Sequence, residues 1–154
     1  MLASLKTLFA DLTDGQKHPS RFGEDDHRLA AAALLIHAAL IDGSESEAET
    51  RKLHDLLMRR FDLDAEATAE LVEKAKAADH DAIDLYHFTK LINQSCDLQG
   101  RLRIIQMMWE VVFANGRATA FEDNLLWRVG DLLGISANER IALRRRAATE
   151  QADS

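Results

Sequence analysis

A chain of 154 residues with 47% hydrophobic side chains, a single proline and few aromatics reads as one helical globular domain, and its composition argues against disorder or a β-sandwich. A net charge of -7 argues against nucleic acid as the main partner, because that affinity comes largely from neutralised phosphates, and favours cations or basic partners. Cys96 is the one cysteine, so neither an internal disulfide nor a cysteine-rich zinc site can form, and a reducing cytoplasm is the expected location.

The opening stretch, MLASLKTLFADL, lacks the basic region, apolar block and cleavage site of a secretory signal. Leu2, Leu5, Leu8, Phe9 and Leu12 recur at helical spacing and predict an amphipathic helix that packs on its own domain or on a partner chain. Lys6 alone on the polar face speaks against a membrane surface. Residues 14–24, DGQKHPSRFGE, break the period with glycine, proline and polar side chains and read as a linker. The expected division is therefore an N-terminal helix and linker at 1–24, a helical body at 25–150 and a frayed tail at 151–154.

Residues 29–41, LAAAALLIHAALI, are apolar on nearly every side except at His37. Such a helix must be buried, and it falls short of the roughly 20 apolar residues of a membrane span. Asp25 or Asp26 caps its start, and Asp42-Gly43 closes it. Ser46 with Glu49 forms a capping box for the next helix, whose core face is Leu53, Leu56, Leu57 and Phe61. A third helix begins at Asp64 and runs to Ala78, with Ala67, Leu71, Val72 and Ala75 inward, until Asp79, His80 and Asp81 break it. From Asp84 to Ser95 a further helix carries Leu85, Phe88, Leu91 and Ile92 on one face, and residues 96–100 form a turn.

Residues 102–114, LRIIQMMWEVVFA, form a second mostly apolar helix, closed by Asn115-Gly116 and paired with the first at the centre. Thr119 and Glu122 cap the helix that follows, with Leu125, Leu126, Val129, Leu132 and Leu133 inward, and Gly134 stops it. Ser136 with Glu139 opens a last helix, expected to end near Ala148. Trp109 and Trp127 are assigned to the core. Arg140, Arg144, Arg145 and Arg146 fall at the end of this last helix, where cations complement its dipole or offer a patch to an acidic partner. No strand-like alternation occurs, so the expected fold is all-α, a bundle of about eight helices.

The two halves repeat. In the register that lays Arg28-Leu29 on Arg101-Leu102, Asp42-Gly43 falls on Asn115-Gly116, Ser46 on Thr119, Glu49 on Glu122 and Leu53 on Leu126. One deletion later, Phe61, Leu63 and Asp64 meet Leu133, Ile135 and Ser136. Each half reads apolar helix, tight turn, capped helix, short link, capped helix, which predicts two halves related by a pseudo-twofold axis.

The pattern of an apolar helix followed by Asp42-Gly43, Glu49 and Leu53 resembles the TerB-like family, named from bacterial tellurite resistance. The stretch with Asp84, Tyr86, Phe88 and Thr89, then the apolar helix ending in Ala114-Asn115-Gly116, is similar to that family's second half. The resemblance covers about residues 25–135. It implies an all-α bundle of two related halves in metal-ion or stress-response complexes, a divalent-metal site near the acidic turns, and no established catalytic reaction. Asn115 stands where an aspartate would match.

Asp42 lies at the negative end of a helix, where an anion is disfavoured by a few tenths to about 1 kcal/mol and a nearby cation would relieve it. If the halves meet at a twofold axis, Asp42, Glu49, Asn115 and Glu122 would face one hard ion, and such oxygen donors suit calcium, magnesium or manganese better than zinc or copper. The loop is not an EF-hand, since its glycine follows the aspartate directly. Two readings stand for these residues, helix capping alone and capping plus a metal. His37 reads as a core histidine, His54 as a surface one, and His80 with His87 lacks a convergent ligand set. Cys96 has no base beside it, and no phosphate-binding or dinucleotide fingerprint occurs, so a non-enzymatic module is expected. A metal-free adaptor is the alternative, with a protein partner or a second copy of the chain on the N-terminal stripe or the arginine-rich helix.

Overall fold

The computed structural model describes residues 22–23, 25–41, 46–81 and 85–153. Among them are seven α-helices: α1 His27–Leu40, α2 Glu47–Arg60, α3 Ala65–Asp81, α4 Leu85–Ser95, α5 Leu98–Val112, α6 Ala120–Leu132 and α7 Ala137–Asp153. A short 3-10 turn, Phe113–Asn115, extends α5, and no strand occurs among the described residues, so the fold is an all-α helical bundle. No described helix is long and apolar enough to cross a membrane. The expected N-terminal helix lies outside the described residues, as do Asp42, Gly43 and Asp84.

Asp26 starts α1 by accepting the Arg28 backbone N–H at 2.9 Å. The helix then passes through the centre of the bundle, with every residue from Leu29 to Ile36 buried, and packs on α2, α3, α4 and α5. The run Ala30 to Ala33 explains how so many helices reach it, because methyl side chains let neighbouring backbones come close on all sides. Leu34, Leu35, Ile105, Met107 and Met108 fill the layer between and around α1 and α5. Each such side chain contributes about 1.5–3 kcal/mol by leaving water.

The two long apolar helices pack on each other as the sequence predicts, and each also packs on the last helix of its own half, α1 on α3 and α5 on α7. The links before those last helices share one geometry. Asp62 and Gly134 both take left-handed backbone angles, with φ of 52° and 71°. Around them Leu63 N–H donates to the Met58 carbonyl and Ile135 N–H to that of Gly130, which closes the ends of α2 and α6 in the same way.

Four expectations need correction. Helix α3 continues to Asp81, because aspartate and histidine weaken a helix only modestly and neither glycine nor proline stands there to end it. Helix α5 starts at Leu98, before the expected residue 102, because Asp97 serves as its cap and accepts the Gly100 N–H at 2.9 Å. Helix α7 runs to Asp153, so Arg140, Arg144, Arg145 and Arg146 lie within it and do not neutralise its end. Finally, Trp127 is 46% exposed whereas Trp109 is buried. The outer face of Trp127 is covered by Arg140, whose guanidinium lies 4.1 Å from the ring centroid.

Candidate functional site

Three of the four residues singled out from sequence can be placed. At the start of α2, Ser46 Oγ accepts the Glu49 backbone N–H at 3.3 Å. At the start of α6, Thr119 Oγ1 accepts the Glu122 N–H at 3.2 Å, and Glu122 Oε1 accepts the Thr119 N–H at 2.8 Å, a complete capping box. Capping glutamates normally sit in solvent. These do not: Glu49 is 1% exposed and Glu122 is 0% exposed.

Asn115 supplies the connection between the halves. It ends the 3-10 turn after α5, where Gly116 at φ 100° reverses the chain. From there its Nδ2 donates to Glu49 Oε1 at 2.6 Å, a bond between residues far apart in sequence. The Arg117 N–H approaches Asn115 Oδ1 at 3.5 Å. An amide is well chosen for this place, because it meets a buried carboxylate with a donor and adds no negative charge to the end of a helix. Asp42 lies outside the described residues.

Burying a carboxylate is costly unless hydrogen bonds or a cation offset the lost hydration. The α2 and α6 N-termini give Glu49 and Glu122 part of that compensation through their free N–H groups. All donors named here are hard, the carboxylates above all, and they suit calcium, magnesium or manganese. Among the described residues no group of three or more histidine, cysteine, aspartate and glutamate side chains converges on one point.

The other titratable candidates are dispersed. His37 and His54 are half-buried, while His87 is exposed and makes an edge-type ring contact with Phe88. Cys96 is partly buried, and that burial together with Asp97 pushes its thiol pKa up, which disfavours the thiolate a nucleophile needs. Asp26 is the clearest ion pair. Burial raises its carboxyl pKa, but the Arg28 side-chain and backbone bonds and the nearby positive charges outweigh that and hold it below the usual value.

One residue escaped sequence reasoning. Gln106 is 7% exposed within α5, and neither its Nε2 nor its Oε1 has a hydrogen-bond partner among the described residues. The available signal was a lone amide inside the run Ile104, Ile105, Gln106, Met107, Met108.

Together these features define an all-α bundle whose second half reaches the buried capping carboxylate of the first. The profile of the family described as Tellurite resistance protein TerB matches residues 28–145, and the chain belongs to that family. No curated protein and no solved structure matches it.

Proposed function

We propose that this chain is a non-enzymatic module of the metal or tellurite stress response that holds one divalent cation, calcium, magnesium or manganese, beside its buried capping carboxylates in the cytoplasm. The observation that carries this reading is the near-complete burial of Glu49 and Glu122 at matching helix starts. Glu49 and Glu122 would hold the cation, which would supply the charge that neutralises them. The sequence register makes Asp42 the counterpart of Asn115, and its carboxylate would add a further hard oxygen ligand for such a cation.

Calorimetric titration of metal-stripped protein with calcium, magnesium, manganese and zinc tests this beside a Glu49→Gln, Glu122→Gln double variant. Glutamine keeps a side-chain acceptor for capping while removing both charges. Saturable one-site binding by the parent, absent from the variant, is the expected result. Binding that never saturates, or that survives the substitutions unchanged, would sink the reading.

The second reading, a metal-free adaptor, is favoured by a different observation. Phe121 is 68% exposed on α6, the helix that also carries Trp127. Large aromatics in solvent on one helix are the usual anchors of a protein interface. That reading expects metal-stripped protein to keep its partner and Phe121→Ser to lose it.

A further inference from the structure

Helices α2 and α7 both pack on α5 and leave between them a cleft of about 420 Å³. This lies within the roughly 300–1,000 Å³ of small-molecule sites. Although the chain as a whole is acidic, the cleft gathers Lys52, Arg59, Arg60, Arg103 and Arg146 against only two carboxylates. The residues come from one face of each helix: Lys52 and Arg59 on α2, Arg103, Gln106 and Glu110 on α5, Arg146 and Glu150 on α7.

Both carboxylates are engaged, Glu110 with Arg60 at 3.7 Å and Glu150 with Arg146 at 3.2 Å. Arg59 pairs with Asp55 on its own helix at 2.7 Å. Lys52 and Arg103 make no ion pair among the described residues. The cleft is also lined by Gln106, whose amide Nε2 and Oε1 are closed to solvent and have no hydrogen-bond partner among the described residues, so a ligand reaches them only when the side chain turns outward. Such a group is destabilising where it stands, and its apolar neighbours Ile105 and Met107 mark how readily the helix would take an aliphatic side chain instead.

We propose that this cleft binds a phosphorylated small molecule, with the phosphate on Lys52 and Arg103 and the polar body of the ligand hydrogen-bonded to the Gln106 amide once that side chain has turned toward the cleft. A guanidinium fork and an ammonium point charge together suit phosphate oxygens. A phosphate dianion balances both unpaired cations, whereas a single carboxylate leaves one uncompensated. The amide requires a ligand that both accepts and donates, which gives the site selectivity beyond charge.

The full chain, stripped of metal on a chelating resin, is titrated calorimetrically at low salt with ADP, pyrophosphate and adenosine. ADP and pyrophosphate are expected to bind one to one, and adenosine not to saturate. A Lys52→Ala, Arg103→Ala double variant is expected to weaken both at least about tenfold, since each lost charge-assisted bond is among the stronger kind. Gln106→Leu is expected to weaken ADP several-fold, to leave pyrophosphate within about twofold, and to keep or raise the thermal midpoint. The Glu49→Gln, Glu122→Gln variant is expected to bind ADP like the parent, which separates this cleft from any metal-borne phosphate site. Failure of both phosphates to saturate, equal affinity in the double variant, undiminished ADP binding by Gln106→Leu, or loss of binding in the Glu49→Gln, Glu122→Gln protein would each overturn the proposal.

Discussion

Asn115 Nδ2 donates to Glu49 Oε1 at 2.6 Å, and so ties the turn after α5 to the first turn of α2. The bond joins a residue that closes one apolar helix to the buried carboxylate that opens a helix of the other half. It sets a neutral donor where a second acid would oppose Glu49.

Replacing that amide with a carboxylate inverts the interaction. Asn115→Asp is expected to destabilise metal-free protein by about 1–3 kcal/mol, the cost of removing one donor from a buried carboxylate, with like-charge repulsion added. Calcium or manganese should restore much of the loss if oxygen donors gather there. Thermal unfolding with and without each cation reads both effects, and an unchanged midpoint in metal-free buffer would contradict the importance of the bond.

The left-handed links give a prediction of opposite sign. Asp62 has φ 52°, where a side chain with a Cβ is strained, while the matching link carries Gly134. Asp62→Gly is expected to leave stability unchanged or raise it by up to about 1 kcal/mol, whereas Gly134→Ala is expected to lower it by about 1 kcal/mol. Urea midpoints of the two variants check the contrast.

Arg140 depends on a glycine beneath it. A Cβ on Gly130 would come within 2.5 Å of Arg140 Cδ, while the guanidinium end lies on Trp127. Gly130→Ala gains up to about 1 kcal/mol of helix propensity but displaces this flexible side chain. The expected outcome is a small change in stability together with greater exposure of Trp127, measured as a red shift and stronger acrylamide quenching of tryptophan emission. Arg140→Ala should produce the same optical change without the helix gain.

Asp26 links stability to pH. Its pKa in the folded chain is held below the ordinary aspartate value, so the Arg28 pair contributes fully above that value and is lost as pH falls through the folded pKa. Asp26→Asn keeps a capping oxygen and removes the charge. The variant should therefore lose stability near neutral pH and show a flatter decline in thermal midpoint between about pH 4 and pH 2. Parallel acid limbs for parent and variant would contradict this.

Much of the bundle could be read locally. An apolar run with no polar face must be core whatever surrounds it, and serine, threonine or aspartate before such a run satisfies N–H groups that no helix can satisfy by itself. Hence α1, α2 and α6 begin where their caps predict, at Asp26, Ser46 and Thr119. The burial of the capping glutamates had no comparable signal, because the same motif serves equally well at the surface. Asp79, His80 and Asp81 misled because their weak helix propensity is outweighed by continuing a helix already formed.

Sequence alone determined the all-α class, the buried pair of helices, the caps of α1, α2 and α6 and the family, since periodicity and capping are properties of neighbouring residues along one chain. Tertiary packing decided which faces met. Trp127 is half in solvent beneath Arg140, Asn115 reaches Glu49 across the halves, and Gln106 lies in a cationic cleft built from three helices. Each depends on the angle at which one helix crosses another, which is set by the fit of many side chains together and leaves no short pattern in the chain.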